Sequence, residues 1–256
     1  MVTSAWSGSA VLFDLDGTLI ESMPTIERHT RLWAARHGLD PEHTLEIWHG
    51  RRDSDVIAEL VGAGLVEAEL AWMRDISCRD VAGITALPGA AGLLGLLPPR
   101  SWGIVTSGER DVARARLAAA GLPVPDVLVS ADDVTKGKPD PEGYLRGARL
   151  LAVDPADCLV VEDAATGIDA ALSAGMYAVL LAGEPADSPA ALRLSTLLHM
   201  EVEPSSAPLV RLRFEPAGSL PAAGRLLETA GPARRGGGAP VPRQDLEAVG
   251  SGRAAS

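Results

Sequence analysis

Two aspartates stand two residues apart behind an apolar run, in Val11-Leu12-Phe13-Asp14-Leu15-Asp16-Gly17-Thr18. In an extended strand that spacing points both carboxylates to one face. Side by side at the end of a buried strand they repel, and desolvating them costs roughly several kcal/mol or forces one to take a proton. A bound cation removes that difficulty. A tight turn capped by both aspartates, with Gly17 at positive φ, accounts for the same residues without chemistry. A second acidic pair, Glu162-Asp163, follows Leu159-Val160-Val161 directly. Two acidic strand ends in one sheet suggest a shared divalent ion, and oxygen-only donors suit Mg²⁺. The competing reading is a pair of acids placed at a helix start by its dipole.

Two further segments carry chemistry. Thr106-Ser107-Gly108 closes an apolar run ahead of a helix pattern, and hydroxyls with free N–H groups at such a turn cradle anions, as ordinary helix caps also do. Lys136-Gly137-Lys138-Pro139 holds both lysines of a chain whose other cations are all arginine. A compact ammonium neutralises a carboxylate and a phosphoryl oxygen together, whereas an arginine fork demands planar bidentate geometry. Solvated loop cations are the plain alternative, more so for Lys136 than for Lys138.

The elements that must hold these groups are legible in outline. Residues 10–16 (AVLFDLD), 102–106 (WGIVT), 127–130 (VLVS), 159–161 (LVV) and 177–181 (YAVLL) read as fully buried strands. Helix patterns over 109–120, 141–151 and 164–174 alternate with them; Gly121 and Gly175 suit C-caps, and Asp140-Pro141 suits a capped start. Alternation of this kind predicts an α/β fold, a Rossmann-like doubly wound parallel sheet. Residues from about 20 to 87 break the rhythm with helical periodicity (Ile26, His29, Leu32, Trp33, Arg36), which predicts an inserted all-helical domain. The expected division is therefore an α/β core of 1–19 and 88–214, a helical insert of 20–87, and a tail of 215–256. Over 183–214, Pro185, Pro189 and Pro204 interrupt the pattern; Val202 and 209–212 form a candidate edge strand without an assigned place. The tail, rich in Gly and Pro and free of aromatics, is expected to be disordered.

Taken together, the four segments occur in order at strand ends, and they resemble the motifs of the haloacid-dehalogenase superfamily of phosphoryl-transfer enzymes over about residues 11–181. The resemblance implies that Asp14 is a nucleophile forming an aspartyl-phosphate, and that Asp16 is the general acid and then the base. It implies Mg²⁺ held by Asp14, the Asp16 carbonyl and Asp163, with Glu162 nearby, and phosphoryl oxygens held by Thr106, the Ser107 amide and Lys138. The helical insert resembles the small cap of the subfamily that places it between the first two motifs. Within it, His49-Gly50-Arg51-Arg52-Asp53-Ser54-Asp55 looks like the cap loop of sugar and polyol phosphatases, and Glu21-Ser22-Met23-Pro24 suits that group. His49, Gly50, Arg51 and Arg52 are thus candidate substrate contacts, although an arginine at a solvated helix start and a capping histidine explain the same residues.

The implied function is a Mg²⁺-dependent phosphatase acting on a small phosphorylated metabolite, a sugar or polyol phosphate. A phosphomutase of the β-phosphoglucomutase type is the nearest alternative. Its cap-proximal histidine falls on Ile26 here, with His29 one helical turn off. A non-catalytic Mg²⁺- or phosphate-binding regulator on the same scaffold is the other alternative. Schiff-base phosphonate hydrolysis is excluded, because residues 20–87 contain no lysine, and Asp16 argues against a dehalogenase.

Composition narrows the setting. The net charge of −11 disfavours nucleic acid as a partner. No stretch reads as a membrane span or a signal peptide. Two cysteines are too few for a disulfide framework and suit a reducing compartment. A cytoplasmic monomer is expected.

Overall fold

The computed structural model describes residues 4–48, 51–181, 189–204 and 209–214. Its centre is a six-stranded sheet, all parallel, ordered β6-β5-β2-β7-β8-β9. The strands are β2 (Ala10–Phe13), β5 (Trp102–Val105), β6 (Leu128–Val129), β7 (Cys158–Glu162), β8 (Tyr177–Leu181) and β9 (Leu192–Leu194). β2 is buried on both faces, which is why its sequence is unbroken apolar rather than alternating. Val11 and Phe13 pack into one core cluster, while Ala10 and Leu12 pack into the other. Helices α5 (Ala90–Leu96) and α6 (Arg110–Ala119) bring Leu93, Leu94, Ala113 and Leu117 to the first cluster. Helices α7 (Glu142–Leu151) and α8 (Ala165–Ser173) bring Tyr144, Ala148 and Ile168 to the second.

β2 lies between β5 and β7, so the chain winds outward in both directions from it. A crevice opens at the carboxyl ends of the strands at such a switch point. Asp14, Thr106 and Glu162 stand at the ends of those three neighbouring strands.

The helical segment runs through α1 (Met23–His37), α2 (Pro41–Trp48), α3 (Asp53–Val61) and α4 (Val66–Arg79). It is entered by β3 (Ile20–Glu21) and left by β4 (Thr85–Ala86), which pair antiparallel. Trp33, Trp48, Val56, Ile57 and Met73 form its own apolar cluster, with Trp33 and Trp48 edge to face at 4.8 Å. The buried stripe of α1 is Thr25, His29, Thr30, Trp33 and Ala34; Leu32 and Arg36, expected on it, face solvent. The stripe is turned because Thr25, His29 and Trp33 find partners on that side: the Ala82 carbonyl, Asp80 with Ser77, and Glu69.

A second sheet, antiparallel and ordered β1-β11-β10, was not foreseen. It joins β1 (Ser4–Gly8), β11 (Val210–Phe214) and β10 (Met200–Glu203). The candidate edge strand at Val202 and 209–212 therefore lies here, on the N-terminal segment, and β9 forms the edge of the main sheet. Val210, Leu212 and Phe214 point into the core, while Arg211 and Arg213 alternate outward opposite Glu203 and Glu201. Gly121 and Gly175 take positive φ past their helices, as the C-cap reading requires. The tail of 215–256 lies outside the described residues.

Candidate active site

Four chain segments meet at the crevice. Lys138 donates from Nζ to Asp14 Oδ1 at 2.5 Å and to Glu162 Oε1, although the three residues are far apart in sequence. Tyr144, fully buried on α7, donates its hydroxyl to the same Glu162 oxygen at 2.9 Å, and its ring lies 5.2 Å from the ammonium. The other Glu162 oxygen accepts the backbone N–H groups of Asp163 and Ala164. Both of its oxygens are thus engaged. Burial opposes the Lys138 charge, but Asp14 and Glu162 outweigh it and hold the ammonium above the ordinary lysine pKa.

Asp14, Glu162 and Asp163 offer carboxylate oxygens within 4.8 Å of one another. Burial, then the neighbouring carboxylates, push Asp14 up despite Lys138. Burial and Glu162 push Asp163 up to about 7. Three carboxylates around one ammonium leave uncompensated negative charge, and hard oxygen donors in that state fit a divalent cation such as Mg²⁺. Glycine at position 17 makes the cluster possible. A Cβ on Gly17, itself at φ +86°, would lie 2.1 Å from Asp163 Oδ2.

Asp16 sits apart from that cluster. Its Oδ1 accepts from Ser22 Oγ at 2.6 Å and from Arg116 Nη1 at 2.7 Å. Thr106, buried at the end of β5, accepts the Gly108 N–H on Oγ1 at 3.1 Å, which leaves its hydroxyl hydrogen available to an anion. Thr106, Ser107, Asp14, Asp16, Lys138, Glu162 and Asp163 all line one cavity of about 380 Å³.

The helical segment supplies the opposite wall. Arg51 lines the cavity and pairs with Glu59 at 2.7 Å, whereas Arg52 turns to the Thr135 carbonyl on the neighbouring loop. His49 and Gly50 lie outside the described residues. Asp53, which accepts the Trp48 indole N–H at 2.7 Å, also faces the cavity, and burial raises its pKa. Arg74 of α4 clasps Glu109 across the cavity mouth. His29 is held between Asp80 at 3.1 Å and Ser77 at 3.4 Å, and burial, against the pull of Asp80, keeps it below the usual histidine pKa.

Sequence reasoning missed Tyr144 and Arg116. Tyr144 carried a usable signal, since it is one of two tyrosines and sits one turn into the helix after the lysine loop. Arg116 carried none, as one arginine among many.

Known proteins resemble this chain in sequence and fold. The family described as hydrolase, haloacid dehalogenase-like hydrolase, matches residues 9–175. Hexitol phosphatase A of Escherichia coli (strain K12) is 45% identical over 73% of this chain and 89% of its own length. Glycerol-1-phosphate phosphohydrolase 2 of Saccharomyces cerevisiae is 35% identical over 65% of this chain and 72% of its own. Among solved structures, a hydrolase from Pseudomonas syringae superposes with a TM-score of 0.65 at 27% identity, covering 74% of this chain and 94% of that one. The chain belongs to the haloacid dehalogenase-like hydrolases.

Proposed function

We propose that the protein is a Mg²⁺-dependent phosphatase of small phosphomonoesters, with sugar-alcohol and sugar phosphates as its substrates. The observation that carries this reading is the Lys138 ammonium shared between Asp14 and Glu162 in a crevice that also holds Thr106 and Asp163. The names of the relatives support the substrate class: one acts on hexitol phosphates and another on glycerol 1-phosphate.

An alkyl phosphate presents a repellent dianion and a poor leaving group, so catalysis needs charge neutralisation and a positioned proton donor. Asp14 attacks phosphorus and becomes an aspartyl-phosphate, which divides hydrolysis into two displacements. Lys138, the Thr106 hydroxyl and the Ser107 amide hold the phosphoryl oxygens. Asp16 gives a proton to the leaving alkoxide and then takes one from the attacking water. Asp14, Asp163 and the Asp16 carbonyl would hold the metal ion, which neutralises phosphoryl charge when bound. The helical segment 20–87 acts as a cap whose wall, including Arg51 and Asp53, meets the alcohol half of the substrate.

Hydrolysis is favoured over phosphoryl transfer between sugar hydroxyls. Ile26 occupies the position where a mutase histidine would follow, and His29 is committed to Asp80 and Ser77. Among the described residues no helix is long and apolar enough to cross a membrane, and Cys78 and Cys158 are free thiols, which suits a reducing cytoplasm.

Phosphate release across a panel of hexitol, hexose, glycerol and carboxylated phosphates, with Mg²⁺ and with EDTA, tests the proposal. Turnover of polyol phosphates that EDTA removes is the expected result. Absence of metal-dependent turnover across the whole panel favours a binding role instead.

A further inference from the structure

Arg116 reaches the cavity from α6 and is buried, with a side chain 9% exposed. Its Nη1 is bonded to Asp16 Oδ1, while its Nε is buried without a hydrogen-bond partner. Ser22 Oγ, itself fully buried, donates to that same Asp16 oxygen. Two donors converge on Oδ1, and Oδ2 has no hydrogen-bond partner among the described residues.

A carboxyl group can carry its proton on either oxygen and can rotate about its own axis. A catalytic acid needs one oxygen held toward the leaving group. An oxygen that already accepts two hydrogen bonds, one from a guanidinium, is a poor place for a proton. The two contacts therefore set both the plane of the Asp16 carboxyl and the oxygen that exchanges the proton.

We propose that Arg116 is the positioning residue of the acid–base step: together with Ser22 it occupies Oδ1 of Asp16, so that Oδ2 serves the substrate. As the bond from Asp14 to phosphorus forms, the bond from phosphorus to the alkyl oxygen breaks. Its electron pair goes to that oxygen, which takes the proton from Asp16 Oδ2. In the second displacement, water attacks phosphorus, its proton passes to Oδ2, and the bond from phosphorus to Asp14 breaks with its electron pair returning to the carboxylate. This assignment rests on the phosphatase reading and extends it to a residue that touches neither the phosphoryl group nor the metal-binding carboxylates.

The test compares R116Q and R116K with wild type on two esters, glycerol 1-phosphate and p-nitrophenyl phosphate, in the presence of Mg²⁺. The alkyl ester needs the proton and the nitrophenyl ester does not, so their rate ratio on one preparation reports the acid alone and is independent of how much protein is folded. R116Q should lose on the order of 10²-fold in kcat on the alkyl ester, the size of a general-acid contribution. Its loss on the aryl ester should be smaller by about a factor of ten or more, and R116K should recover part of the alkyl rate. Adding R116Q to D16N should not change the ratio further, because Arg116 acts through Asp16. Equal losses on both esters would show a purely structural ion pair, and a raised KM with kcat kept would make Arg116 a substrate contact. Either overturns the assignment while leaving the phosphatase reading standing. A wild-type enzyme inert on both esters overturns the two together.

Discussion

The carboxylate of Glu162 occupies the space that any side chain at position 167 would need. A Cβ built on Gly167 falls 1.8 Å from Glu162 Oε1, the oxygen that receives both Lys138 and Tyr144. The opening turn of α8 thus approaches the site closely enough to keep Glu162 in place, and only glycine permits that approach.

G167A should therefore lower stability by about 1–3 kcal/mol, as over-packing a filled interior does. It should also cost kcat more than stability explains, on the order of 10²-fold, because Lys138 loses its fixed partner. Thermal unfolding and saturating kinetics on one preparation measure both. A variant that is destabilised but fully active would show that Glu162 does not position the lysine.

Replacing the proposed nucleophile separates fold from chemistry. D14N should retain the circular-dichroism spectrum of the parent and lose about 10⁴-fold or more in kcat, since an amide cannot form the acyl-phosphate. Acid-quenched protein incubated with labelled phosphomonoester should carry the label in the parent and not in D14N. Label retained by the variant would move the nucleophile elsewhere.

The acidic cluster makes stability depend on pH and on the ion together. Asp163 is raised from 3.8 to about 7, so the ion-free folded protein keeps a proton there that the unfolded chain gives up. Stability of the ion-free protein should fall as pH rises through that window. On the proposed reading Mg²⁺ takes the deprotonated group, so its stabilising effect should grow over the same range. At a concentration of 100 times Kd it should reach about 2.7 kcal/mol, or about 5–10 °C in Tm for a protein of this size. Melting curves near about pH 5 and about pH 8, with Mg²⁺ and with EDTA, measure this; an equal Mg²⁺ shift at both would contradict it.

At Asp80, beside His29, the sign reverses. Asp80 is lowered from 3.8 to about 2 by its hydrogen bonds to Arg28 and His29. Its contribution is complete above the unfolded value and disappears as pH falls toward about 2, amounting to about 1 kcal/mol once solvent screening is allowed for. Acid-unfolding curves of the parent and D80N should converge across that window. A gap that stays constant would show that the pair adds nothing through ionisation.

What could be read in advance followed from local physics. Val11-Leu12-Phe13 had to be a strand buried on both sides, and acids directly behind two such strands had to share the crevice at their ends. The lysine loop stood out because arginine does the rest of the cationic work. Arg116 was invisible because its meaning depends on which side of α6 faces Asp16, a hundred residues away. β1 was invisible for a different reason. Ser4-Ala5-Trp6-Ser7-Gly8 has no β-branched residue, and the strand it pairs with among the described residues comes from their other end.

That long-range pairing has a consequence for how the polypeptide emerges from the ribosome. Trp6 and its neighbour across the ladder, Leu212, are made more than two hundred residues apart. Until the later strand is made, the indole lacks the cover that Val210, Leu212 and Phe214 give it, so the six parallel strands can assemble during synthesis while this part of the core stays open. Any truncation upstream of Val210 leaves this apolar face open and exposes a ready template for aggregation.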